Sequence, residues 1–133
     1  MGVNAPKEHQ RVIARLTAEL FFLYKKGLVC YEPLPEVMID ESQTSATPDV
    51  ILFDNKNFTN KVIIEITTPP AFKSDSEKVR LLIEKYEVAE GFIYDHIKKR
   101  WKKHKYGRGE IIENPSFCDS IGYDLNTLLI DAF

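Results

Sequence analysis

The segment TPDVILFDNKNFTNKVIIEITTPP, Thr47 to Pro70, constrains this chain more than any other. Two apolar runs, VILF and KVIIEI, flank the polar turn DNKNFTN, which is the pattern of a β-hairpin. Each run carries an acid towards the hairpin's open end: Asp49 opens the first and Glu65 lies near the close of the second. Strands this apolar belong in a core, where an unpaired carboxylate is expensive. If Phe53 faces Lys61 across the turn, the same register sets Asp49 opposite Glu65. Period two then puts Glu65 and Thr67 on one face, with Ile64 and Ile66 on the other. Like charges directly opposite one another destabilise a sheet. A divalent cation reverses that sign, because hard cations such as magnesium are held by one or two carboxylates together with water and substrate phosphate.

The rest of the chain reads as an ordinary globule around this hairpin. At 133 residues it is expected to form one domain over 1–133, and it is long enough to bury a core. No repeat, low-complexity tract or long linker divides it. No apolar run approaches a membrane span, and MGVNAPKEHQRV lacks the apolar core of a signal peptide. Cys30 and Cys118 show no metal-type spacing, so reduced thiols, buried or half-buried, in a cytoplasmic protein are the expectation. The net charge of −2 gives no global signature of nucleic-acid binding. The distribution is uneven, however: seven Lys or Arg and no acid lie between Lys98 and Arg108.

APKEHQRVIARLTAELFFLYKKG reads as a first helix, with Pro6 at its start and Gly27 as its stop. Ile13, Leu16, Leu20 and Leu23 recur at helical spacing, while Glu8, Arg11, Arg15 and Glu19 mark a wetter side. LVCYEP and EVMID are two short strand-like runs separated by Pro33 and Pro35. After the hairpin, TTPPAF breaks the chain, and SDSEKVRLLIEKY opens with a capping-box pattern, Ser74 as N-cap and Glu77 three residues on. Val79, Leu82, Ile83 and Tyr86 form the apolar stripe of that helix. EGFIYD reads as a buried strand, RWKKHKY as a following edge strand, and SFCDSIGYDLNTLLIDAF as a turn and a last short helix. The order predicts an α/β (α+β) domain with a mixed sheet flanked by helices.

A PD pair before an apolar strand, then an acid within the next strand, resembles the PD-(D/E)XK nuclease superfamily, with its restriction-endonuclease-like core. PDVILF, VIIEITTPP, SDSEKVRLL and EGFIYD, in that order, with SIGYDLNTLL near the end, look like the Uma-two family of bacterial proteins of the restriction-endonuclease type. The resemblance covers most of Glu8 to Leu129. It implies a metal-dependent endonuclease that hydrolyses DNA phosphodiester bonds, with Mg2+ or Mn2+ held by Asp49, Glu65 and the carbonyl of Ile66. Thr67 stands where the superfamily places a lysine two residues after the glutamate. In the family resembled, a lysine from the following helix is taken to fill that role, and Lys78 is the matching position. Asp49, Glu65 and Lys78 are therefore the implied catalytic set.

Each of these residues also has a structural reading. Asp49 can begin a strand, Glu65 can face solvent from an edge, Lys78 can be a solvated helix residue, and Thr67 can simply continue its strand. Glu8, Glu19 and Glu36 are weaker candidates for a further acid, and His9, His96 and His104 are assigned structural roles because they show no convergent spacing. The basic stretch supplies a candidate DNA surface, Lys98, Lys99, Arg100, Trp101, Lys102, Lys103 and Lys105, with Trp101 stacking on a base. Its alternative is a solvated strand edge that resists strand addition. A catalytically silent relative that binds nucleic acid or protein remains the competing function, since the Glu-x-Lys lysine is missing and the chain is short. A third reading is a structural subunit whose sheet edge pairs with another copy as a homodimer.

Overall fold

A computed structural model describes residues 7–37, 39–40 and 46–130. Helix α1 is Lys7–Lys25 and helix α2 is Phe72–Tyr86. The strands are β1 Glu32–Pro35, β2 Val50–Asp54, β3 Thr59–Thr67, β4 Glu90–Asp95, β5 Arg100–Lys105 and β6 Gly109–Ile111. These six form one sheet in chain order, with only β3 and β4 parallel. The parallel pair needs a crossover, and α2 supplies it. A two-stranded ribbon, β7 Phe117–Cys118 with β8 Tyr123–Asp124, and a 3-10 turn Leu125–Leu128 complete the described chain.

The sheet alternates its side chains between two cores. Val50, Leu52, Val62, Ile64, Ile66, Phe92 and Tyr94 pack with Val12, Ile13, Leu16 and Leu20 of α1. Ile51, Ile63 and Ile93 pack with Val79 and Ile83 of α2 on the opposite face. Gly91 lets α2 come close, because a Cβ there would lie 2.5 Å from Ile83 Cδ1 and 2.6 Å from Val79 Cγ1. With helices on both faces, the middles of β2, β3 and β4 carry apolar side chains on both sides of the sheet. Among the described residues no helix is long and apolar enough to cross a membrane.

Several expectations change in the fold. β1 runs through Pro33 and Pro35 rather than stopping at them; it is the outer strand, where a missing N–H costs nothing on the open side. The hairpin register holds from Val50 opposite Ile64 to Leu52 opposite Val62. A bulge then shifts it, so Phe53 faces Asn60 rather than Lys61. The capping box does not form. The 3-10 turn Pro69–Ala71 feeds directly into α2, so Ala71 is the N-cap; Ser74 donates to the Ala71 carbonyl and Glu77 pairs with Arg80. β5 is not the edge, because β6 pairs along it. Cys30 is exposed and Cys118 is buried, both free. Pro6 and Met38 lie outside the described residues.

Candidate active site

The hairpin's open end is where the ladder runs out. β2 begins opposite Ile64, so the Ile66 N–H and carbonyl have no strand partner on that side. Side chains take over from the backbone. Asp49, just before β2, accepts the Ile66 N–H on Oδ2 at 2.7 Å. Its own N–H donates to Glu65 Oε1 at 3.2 Å. Lys78, from α2, places Nζ 2.7 Å from Glu65 Oε2. The three residues singled out in the sequence therefore meet at one place. Lys78 reaches it from the second turn of α2, which starts at Phe72.

Three residues join them that the sequence reading did not assign to the site. Thr67, one period-two step beyond Glu65, donates its hydroxyl to Asp75 Oδ2 at 2.6 Å. Asp75 lies three residues before Lys78 on α2, so both face the end of β3. His9 comes from α1 on the other side of the sheet. Its Nε2 is 3.0 Å from the Ile66 carbonyl, to which it donates, and 3.6 Å from Asp49 Oδ2. His9 precedes the buried Val12 and Ile13 by three and four residues, so helical spacing places it on the sheet-facing stripe. That signal was in the sequence. Glu36 stays a backbone neighbour, its N–H donating to the Asp49 carbonyl at 3.0 Å.

The charges are unevenly compensated. Burial, and then the charge of Asp49, push the Glu65 carboxyl up to about 7, against the opposing pull of Lys78. Burial also raises Asp49, outweighing the Ile66 N–H bond and the neighbouring His9 and Lys78. Burial works against the ammonium form of Lys78, but its bond to Glu65 and the charges of Glu65, Asp75 and Asp49 outweigh that and raise its pKa. One buried and one partly buried carboxylate with one half-exposed lysine form a site short of positive charge.

The donor chemistry suits a hard divalent cation: two carboxylates and the Ile66 carbonyl are all oxygen donors. Among the described residues, no three His, Cys, Asp or Glu side chains are gathered as a ready-made metal cage.

The basic stretch is divided by the sheet. Lys98 and Lys99 stand exposed in the turn after β4. Arg100 pairs with Asp95 at 3.1 Å and lies 3.9 Å from the Phe72 ring centroid; Lys102 shares that face and lies 3.8 Å from Glu110. Trp101, Lys103 and Lys105 point to the opposite face. Trp101 packs 4.5 Å from the Tyr94 ring and donates Nε1–H to Asn126. Its indole is engaged within the fold rather than presented for stacking. Lys103 is buried, its Nζ 2.7 Å from the Phe117 carbonyl and 3.1 Å from both Glu90 and Asp119. Lys105 binds Asp119 at 2.7 Å. On the α2 face, a groove of about 570 Å³ is lined by Lys73, Ser76, Glu77, Lys102 and His104, among others.

No protein-family model matches the chain, and no curated protein matches it. Among solved structures it is similar to a crystal structure from Anabaena variabilis, described as that of a proposed nuclease belonging to DUF820. The TM-score is 0.70 at 14% sequence identity, over 97% of this chain and 84% of that one. The likeness establishes a nuclease-like fold.

Proposed function

We propose that this chain is a metal-dependent nuclease acting on DNA. The observation that carries the reading is the Lys78 ammonium on Glu65, with Asp49 alongside, at the frayed end of β3. Asp49, Glu65 and the Ile66 carbonyl would hold Mg2+ or Mn2+. When bound, such an ion lowers the pKa of a water and polarises a phosphate. Lys78 is half-exposed and keeps its charge, so it can orient an attacking water and stabilise the anionic transition state. The Thr67–Asp75 hydrogen bond ties the end of β3 to the first turn of α2, one turn before Lys78. Lys98, Lys99, Arg100 and Lys102 are the cations of the basic stretch that remain to contact phosphates, with Lys73 beside Lys102 in the groove.

Relaxation of supercoiled plasmid, with and without chelator, tests the reading. Wild type is expected to nick DNA only with divalent metal. Asp49→Asn and Glu65→Gln are expected to lose both metal binding and cleavage, since an amide is a poor partner for a hard cation. Lys78→Ala is expected to keep the metal and lose about a hundredfold in rate. Full activity in Lys78→Ala would remove the lysine from the mechanism.

A catalytically silent binding module is the second reading. One observation favours it: Asp49 and Glu65 already accept bonds from the Ile66 N–H, the Asp49 N–H and Lys78. Folded wild type that nicks no DNA substrate with any divalent metal would establish that reading.

A further inference from the structure

We propose that the groove between α2 and β5 is a phosphoryl-binding site, in which Ser76 and His104 donate hydrogen bonds and Lys73 and Lys102 supply positive charge. It shares no lining residue with the Asp49, Glu65 and Lys78 cluster, so it stands apart from the metal reading of that cluster.

Two buried polar side chains point to an occupant. His104 is 5% exposed and Ser76 is 4% exposed, and both line this groove of about 570 Å³. Neither His104 ring nitrogen has a hydrogen-bond partner among the described residues, and neither does the Ser76 hydroxyl. A buried donor without an acceptor carries the full cost of its lost water, and such atoms are rare in folded chains. Here three of them belong to residues that line one groove. The two structural periods bring them together. His104 stands two residues beyond Lys102 on β5, so one face of the sheet carries both. Ser76 precedes Val79 and Ile83 by three and seven residues, which sets it on the sheet-facing stripe of α2. A hydroxyl without a partner contributes nothing to that apolar stripe.

The chemistry of the lining selects an anion. Burial, and then the charge of Lys102, hold His104 below the ordinary histidine range. Its ring is therefore neutral near neutral pH, and one of its nitrogens is an N–H donor. Ser76 offers a hydroxyl hydrogen, and the two lysines offer ammonium groups. Lys73 is exposed, and Lys102 meets Glu110 only at 3.8 Å. Glu77, the acid among the lining residues, is paired with Arg80, which leaves the lysine charges in excess. Pro70, Lys73 and Ser74 place the groove beside the start of α2, where the helix field also favours negative charge. A phosphoryl group accepts from N–H, O–H and ammonium alike, through several oxygens at once. The groove is larger than a lone phosphoryl group, so a phosphate ester fits as well as the free ion. The three unpartnered atoms are closed to solvent, so entry requires the flexible lysine chains of the lining to move.

NMR of the full chain in chelator tests this, reading the His104 ring and Ser76 amide signals. Inorganic phosphate, a deoxynucleoside monophosphate and a short single-stranded deoxyoligonucleotide are added in turn, with sodium chloride as the ionic-strength control. Phosphate is expected to shift both signals saturably, and chloride to leave them in place. Ser76→Ala and His104→Phe are each expected to weaken phosphate binding at least about tenfold, the worth of a hydrogen bond to a charged acceptor. Without ligand neither should melt below wild type, because each removes a buried polar group that has no partner. The double variant Lys73→Ala, Lys102→Ala leaves Ser76 and His104 intact and should lose affinity by a similar factor. An oligonucleotide that competes with phosphate for the His104 signals would place a nucleic-acid backbone in the groove. Phosphate or mononucleotide bound without the oligonucleotide would assign the groove to a small phosphate. Signals unmoved by all three ligands, or affinity unchanged in both Ser76→Ala and His104→Phe, would overturn the site. A protein that nicks no plasmid would leave a positive result standing, since these signals are read without metal and away from Asp49 and Glu65.

Discussion

Glu65 shows at the scale of one residue how function and stability oppose each other. Its carboxyl is raised on folding from 4.5 to about 7, first by burial and then by Asp49. A group raised in this way binds its proton more tightly folded than unfolded. Its contribution is therefore favourable at low pH, declines as pH rises from 4.5 through about 7, and is lost above that. The shift corresponds to roughly 3 kcal/mol in order of magnitude. Glu65→Gln is thus expected to melt higher than wild type at pH 8 in chelator, with the difference fading towards pH 4. Thermal melts of both proteins across that range check it; a variant less stable at pH 8 would contradict a buried charge that Lys78 only partly compensates. Asp49 and Glu65 could be read from the sequence because a hairpin register is local. His9 could not be paired with them in the same way, because docking of α1 across the sheet brings it there and no sequence spacing sets that approach.

At the scale of elements, the fit of α2 on β4 determines whether Lys78 reaches Glu65. Gly91 is the point of closest approach, with Val79 and Ile83 where a side chain would go. Gly91→Ala is expected to push α2 outward and destabilise the fold by about 1–3 kcal/mol. Adding Val79→Ala should relieve part of that loss, a coupling that urea denaturation of the four proteins of the cycle would measure. Simple additivity would mean that the helix does not bear on Gly91. The elements themselves were mostly legible: both helices carry helical periodicity, and the hairpin strands and EGFIYD read as short apolar runs. What was misread depended on neighbours. The helix start at Phe72 is set by a 3-10 turn ahead of it, which displaced the Ser74 cap. β5 lost its edge position to three residues after the turn containing Gly107, whose φ of 73° favours glycine. The prolines of β1 read as breaks, but they sit on the sheet's open side.

Across the whole molecule, the question is how a chain of net charge −2 could grip DNA. A run of lysines in the sequence looks like one patch, but strand alternation sends its members to two faces and into the core. Lys103 and Lys98 therefore belong to different physical problems. Lys103 neutralises the buried Glu90, which also holds the Asp119 and Ser120 N–H groups and the Ser120 hydroxyl. Lys103→Ala leaves that carboxylate without its cation and is expected to destabilise the fold by about 3–5 kcal/mol. Lys98→Ala, Lys99→Ala and Lys102→Ala should leave the melting temperature within a degree or two, since surface changes are usually worth under about 0.5 kcal/mol. Combined, they should weaken DNA binding and flatten its dependence on salt, by roughly 0.9 in logarithmic slope for each phosphate left without its lysine. Fluorescence anisotropy of labelled duplex, titrated at several salt concentrations, separates the two roles. An unchanged slope in the triple variant would leave these lysines as solvating charge on a turn and strand. Weaker binding by a Lys103→Ala protein that melts like wild type would instead return the buried lysine to the DNA surface, against its ion pairs with Glu90 and Asp119.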